Sequence, residues 1–257
     1  MSNFNASASK TEPLNLTRRV NPLEALREVF APCVDLNYAR FARSGLPKEA
    51  LSPVLGLRVP LLRSIANRIE KSEIEGTIAT LLRAGPEALE ERLFVAILIG
   101  RLRVPIEAKF PLLRAFLPFV DSWMVCDELA AFVKPLPKEK ELFWSFLGNL
   151  CDEGSPYATR YGLVSVLKYY MDASWIEEVL SRAETVARRK IDARCVETAL
   201  AWLVAEVAAR FPDRAVAFLR EEILSPRSKR MAIQKGLESL RVADDVKAEL
   251  KRMRKSD

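Results

Sequence analysis

Histidine is absent from the 257 residues. That removes every Ser-His or Cys-His nucleophile pair and every imidazole ligand for a metal. An acid, a base or a charge stabiliser must then be Asp, Glu, Lys, Tyr or Cys. Cysteine is scarce as well: Cys33, Cys126, Cys151 and Cys195 form no CxxC pair and lie far apart in the chain. This spacing argues against a cysteine zinc site and for four small buried hydrophobes in a reducing compartment. Long apolar runs are missing too. The longest, Leu93 to Ile99, is far short of the roughly 20 residues of a membrane-spanning helix. No apolar segment near the start reads as a secretory signal, and no alternating run of Val, Ile and Thr reads as a strand pair.

What is present fits a folded helical protein. Apolar residues make up 49% and charged residues 29%, enough for a core and for solubility. A chain of this length can bury roughly three quarters of its unfolded surface without disulfides or metals. The net charge is +6 and it is unevenly spread. Residues 1–130 hold 17 basic and 15 acidic side chains, whereas residues 225–257 hold 10 and 5. A second basic run is Arg182, Arg188, Arg189, Lys190 and Arg194. Phosphate contacts are therefore expected in the C-terminal third, the alternative being a solvated helix face with a basic tail.

Residues 1–20 are rich in Ser, Asn and Thr and read as a disordered leader. From Asn21-Pro22, an N-cap followed by proline at the first helical position, the pattern becomes helix, short break, helix. Helices are expected near 37–45, 60–70, 73–84, 87–102, 107–117, 122–133, 138–151, 156–171, 173–190, 191–211, 213–223, 227–240 and 243–255. Pro47, Gly85-Pro86, Pro105, Pro118, Pro135, Gly154, Pro212 and Pro226 punctuate them. Short helices joined by tight turns give an all-α fold. A helix pair with its turns takes about 40 residues, the HEAT scale, which favours an α-solenoid of antiparallel pairs; a non-repeating bundle is the competing architecture. The expected layout is a leader at 1–20, one helical-repeat domain at 21–242 and a basic C-terminal helix or tail at 243–257.

Helical periodicity also places two tryptophans away from the apolar stripes. In 191–211 the stripe is Leu200, Leu203, Val204, Val207 and Phe211, and Trp202 lies opposite, among Thr198, Ala199, Ala205, Glu206 and Ala209. In 122–133 the stripe is Val125, Leu129 and Phe132, with Trp123 and Asp127 together on the other side. An indole beside a carboxylate suits a group that becomes cationic. The same positions also suit second-layer packing for the indoles and a structural ion pair for Asp127. Trp144 and Trp175 have no such neighbour and read as packing residues.

Five segments carry a family resemblance. They are Leu55-Gly56-Leu57-Arg58-Val59-Pro60 with Leu62-Arg63, Asp121 through Asp127, Arg160 through Lys168, Thr198 through Trp202, and Ser225 through Arg230. Together they make the chain, over about residues 21 to 242, similar to the AlkD-like DNA alkylation repair family. The resemblance implies HEAT-like repeats curved around a basic concave face that holds double-stranded DNA. It implies that Trp123, Asp127 and Trp202 surround the deoxyribose of a lesion as catalytic residues, and that Arg160 contacts the DNA backbone. Arg188, Arg189, Lys190, Arg227, Lys229 and Arg230 are further DNA-binding candidates. The implied reaction is hydrolysis of the N-glycosidic bond of purines made cationic by alkylation at N3 or N7, with no metal or organic cofactor. One departure stands out: where active relatives carry an Arg three residues after the second Trp, this chain has Ala205, followed by Glu206. A DNA-structure-binding member without excision is therefore the alternative, and a HEAT-type protein adaptor a further one. The expected state is a monomer in a bacterial cytoplasm, on the nucleoid and away from membranes.

Overall fold

The computed structural model describes residues 12–256. The described residues form fourteen α-helices, a few 3-10 turns and no strand. In order, the helices are α1 Pro22–Phe30, α2 Leu36–Gly45, α3 Val59–Ala66, α4 Ile74–Ala84, α5 Leu89–Arg101, α6 Ile106–Phe116 and α7 Trp123–Phe132. They continue with α8 Lys140–Glu153, α9 Pro156–Tyr169, α10 Ile176–Arg188, α11 Arg194–Arg210, α12 Pro212–Arg220, α13 Pro226–Glu238 and α14 Asp244–Ser256. Each helix expected from periodicity is present within a few residues of its boundaries. None of the described helices is long and apolar enough to cross a membrane.

Local chemistry explains the boundaries. Asn21 caps α1 through its side-chain oxygen, which accepts from Glu24 N at 3.2 Å ahead of Pro22. Asp35 caps α2, accepting from the amides of Asn37 and Tyr38 at 3.0 Å each. Such caps satisfy amides that the first helical turn leaves without partners.

One expectation needs correction. The leader was expected over residues 1–20, of which residues 1–11 lie outside the described residues. Residues 12–20 are packed onto the fold: Leu16 is fully buried, Leu14 is 8% exposed, and Leu14 N donates to Arg68 O at 2.9 Å. Leu14 and Leu16 are the large apolar side chains of a polar stretch, and burying both offsets the ordering of its backbone.

The chain divides into two compact units, Met1–Lys134 and Pro135–Asp257. In the first, α5 is the central helix, with ten of its residues buried on all sides, packed by α3, α4 and α7. Gly100 lets α7 approach: a Cβ there would stand 2.4 Å from the Phe132 Cβ. In the second unit α11 is central and lies between α9 and α13, with α10 and α12 also against it. Its Val196, Leu200, Leu203, Val204 and Val207 are buried, and so are Ala199, Ala201, Ala205, Glu206 and Ala208. A helix enclosed this way has little amphipathic character.

Candidate functional site

Trp123 opens α7 and is 39% exposed. Its indole Nε1 donates to the carbonyl of Gly45, the last residue of α2, at 2.9 Å. The ring is thus held by one hydrogen bond while much of it faces solvent. Asp127 follows one turn later, on the same face and half-buried. Val125 and Leu129 point the other way and are fully buried. The periodicity argument placed these side chains on opposite faces, and they are found there.

The start of α7 is fixed by contacts that sequence reasoning did not reach. Asp121 accepts from Ser52 N at 3.2 Å and from Ser52 Oγ at 2.5 Å, and it pairs with Arg92 at 2.8 Å. Ser52 belongs to the thirteen-residue connection between α2 and α3. Arg43 of α2 braces the same connection, donating to Ala50 O at 2.5 Å. At its far end the carboxylate of Glu90, 1% exposed, accepts from the amides of Leu55, Gly56 and Leu57 at 2.9, 2.7 and 3.2 Å. Three amide donors compensate for burying that charge. Gly56 is required here, because its φ is +104° and a Cβ would lie 2.3 Å from Asp35 O. The Ser52–Asp121 and Glu90 links span 33 to 69 residues, and no local sequence signal encodes them.

The second unit carries the other expected residues. Trp202 is half-buried on α11. Its helical neighbours Ala205 and Glu206, expected to leave the indole standing clear, are packed at 6% and 5% exposure. The wheel treated their side as open, but α9, α12 and α13 enclose α11. Glu206 accepts from Arg210 Nε at 3.1 Å and from both terminal nitrogens of Arg241 at 2.6 and 2.5 Å. Burial alone would raise its pKa, yet the two guanidiniums hold it below the usual carboxylate range.

Arg160, expected to contact the DNA backbone, is 5% exposed. One of its terminal nitrogens donates to Cys195 O at 2.8 Å and to Thr198 Oγ1 at 3.0 Å, tying α9 to the first turn of α11. Several of the basic candidates meet acids. Arg188 pairs with Glu184 at 2.7 Å and Arg227 with Glu197 at 3.2 Å. Arg189 donates to Cys151 O and lies 3.7 Å from Asp152. Lys190 ends α10 with φ +50°, a left-handed cap position that is uncommon for a side chain other than Gly or Asn. Arg230 is exposed on α13 and Lys229 half-buried beside it. A cavity of about 640 Å³ lies between the α10–α11 and α12–α13 turns, and it brings Arg188 and Lys190 together with Glu197, Glu221 and Glu222.

Among the cysteines, Cys126 and Cys151 are buried, while Cys33 and Cys195 are half-exposed, so four buried hydrophobes overstates the case by two. Burial pushes the Cys151 thiol up to about 11, so it is no nucleophile near neutral pH. Among the described residues no group of three or more Cys, Asp or Glu is placed to hold a metal ion.

The class defined so far is an all-α protein that sets an exposed indole one helical turn from a half-buried carboxylate. Comparison with known families adds the particular: the model of the family described as DNA alkylation repair enzyme matches residues 23–240, and the chain belongs to that family. No curated protein and no solved structure matches the chain.

Proposed function

We propose that this chain binds duplex DNA and hydrolyses the N-glycosidic bond of purines alkylated at N3 or N7. The observation that carries the reading is the pairing on α7: an indole 39% exposed and tethered by its Nε1 to Gly45 O, one turn ahead of a half-buried carboxylate. Membership of the DNA alkylation repair family supports it.

The chemistry asks little of the protein. Alkylation already makes the base a cationic leaving group, so its departure needs no strong general acid, and a chain without histidine suffices. As the glycosidic bond breaks, positive charge develops on the deoxyribose. Asp127, as carboxylate, stabilises that charge and orients the attacking water. The face of Trp123 adds its negative π potential, and its tether to Gly45 keeps the ring from reorganising during reaction. Trp202 is the second indole of this reading. With it go HEAT-like antiparallel helix pairs in a curved stack, a basic concave face for the duplex, Arg160 and the α10 and α13 cations at the DNA backbone, and a monomer on the bacterial nucleoid. The duplex would be held by its backbone, without the deep base pocket of most glycosylases.

A second reading has its own support. Ala205 is 6% exposed and Glu206 is bound by Arg210 and Arg241, so neither supplies the DNA-contacting cation found in active relatives. That favours a protein that recognises DNA structure without excision. Incubation with duplex carrying N7-methylguanine, scored for abasic sites, separates the two: accumulation of abasic sites supports the first, and tight binding without them supports the second.

A further inference from the structure

The helix that holds the Trp123 indole has an unusual face. In α2 the buried residues are Ala39 and Ala42, two small side chains. Its large apolar residues point outward: Leu36 is 65% exposed and Phe41 73%. Ordinary surface helices do the reverse. Leaving a Leu and a Phe in water forgoes the stabilisation that burying them would bring.

Aromatic rings continue along this face. The Phe41 and Tyr38 centroids lie 6.3 Å apart, and the Arg58 guanidinium covers the Tyr38 ring at 4.2 Å. Phe41 precedes Gly45 by one helical turn, and Gly45 O receives the Trp123 indole. Phe41 and Gly45 therefore share one side of α2, and the Trp123 ring lies against that helix at Gly45, where a Cβ would stand 4.0 Å from it.

Its charge is of one sign. Within α2 there are Arg40 and Arg43 and no carboxylate. Arg43 is turned to the Ala50 carbonyl. Arg40 is exposed and, among the described residues, hydrogen-bonds to Asn37 at 3.3 Å. Asp35 sits at the N-cap, where its Oδ1 is taken by the Asn37 and Tyr38 amides, and its other oxygen lies 3.9 Å from Arg58. Exposed rings flanked by a cation match the needs of nucleic acid, which offers stacking faces inside a rail of phosphates.

We infer that the exposed face of α2 is a duplex-contacting surface, with Phe41 wedged against a base step and Arg40 against a phosphate. This rests on the duplex-binding half of the proposed function and is independent of excision. A wedge beside Trp123 unstacks one step and opens the groove at the point where the indole and Asp127 need access to the sugar.

The test uses the full chain and an undamaged duplex with a fluorescent purine analogue whose emission rises on unstacking. Loss of one stacked aromatic costs about 1–3 kcal/mol per base, so Phe41→Ala should weaken binding about 5- to 150-fold and abolish the emission rise. Phe41→Trp should restore both. Arg40→Ala should keep the emission rise and lower the slope of log affinity against log salt by about 0.9. Phe41 is exposed, so thermal stability of its variants should match the parent. Wild-type affinity and emission in Phe41→Ala would overturn the inference alone. A wild-type dimer in sedimentation that Phe41→Ala dissolves would assign the face to self-association and overturn it likewise. Failure of the wild type to bind duplex would remove the duplex-binding reading and the inference with it.

Discussion

On α2 and α7 of the first unit, Phe41 and Trp123 are 73% and 39% exposed, and the indole N–H of Trp123 ties that ring to the Gly45 carbonyl. In the second unit Trp144, Tyr170 and Trp175 close on one another with centroids 4.9 to 5.1 Å apart. Arg182 caps Trp144 at 4.2 Å, Lys140 lies 5.4 Å from Tyr170, and the Tyr170 hydroxyl donates to Lys140 O at 2.7 Å. The same residue types are thus self-satisfied in one place and open in the other. A closed cluster contributes stability. An open one costs stability unless something else covers it, and that asymmetry, more than tryptophan content, supports placing the proposed function on α2 and α7.

Cations follow a related contrast. Among the described residues no carboxylate pairs with Arg40 of α2, whereas Arg188, Arg189 and Arg227 of the second unit are paired. Positive sequence charge in the C-terminal third is therefore partly spent within the fold, and much of its value to a phosphate is screened.

Substitutions can break this comparison. Trp144→Ala should have the largest effect on stability, about 3 kcal/mol by denaturant unfolding, because two ring partners and a guanidinium lose their surface. Phe41→Ala should stay within about 0.5 kcal/mol of the parent. Equal losses would show that the two aromatic groups are not different in kind.

Glu206→Gln should cost less, about 1–2 kcal/mol, since Arg210 and Arg241 are half-exposed and can rehydrate. Its pH dependence has a definite sign. The folded pKa is depressed, so the stabilisation is fully present above the unfolded value of about 4.3 and disappears as pH falls through the lower folded value. Stability curves of parent and variant should therefore converge in acid and separate toward neutral pH.

A smaller effect, in the favourable direction, is expected from Glu197→Gln. Releasing Arg227 from its 3.2 Å pair makes a cation available to phosphate. Duplex affinity should rise a few-fold, with the salt slope steeper by up to about 0.9. Unchanged affinity would remove Arg227 from the DNA interface.

Legibility in the sequence followed the range of the interactions involved. Helix positions were readable because caps and breakers such as Asn21-Pro22, Gly85-Pro86 and Pro226 act within a few residues. The outward setting of Trp123 and Asp127 was readable because α7 has a clear stripe at Val125 and Leu129. The setting of Trp202 was only half readable: α11 is enclosed, so its alanines pack as firmly as its leucines and the wheel has no empty side. Arg160 was expected at the DNA backbone from the family resemblance alone; it sits 5% exposed against the α11 backbone, a contact between residues 35 apart. The Asp121, Ser52 and Arg92 brace and the inverted face of α2 left no local trace, because which face of a short helix packs is decided by its neighbours.

The central claim is that Asp127 stabilises charge on the sugar, and Asp127→Asn tests it most directly. The substitution keeps shape and hydrogen bonding and removes the charge. On duplex carrying N7-methylguanine, excision per folded molecule should fall on the order of 10² to 10³, while affinity for undamaged duplex and the melting temperature stay near those of the parent. An unchanged excision rate accompanied by a lowered melting temperature would contradict the account and make Asp127 a structural residue.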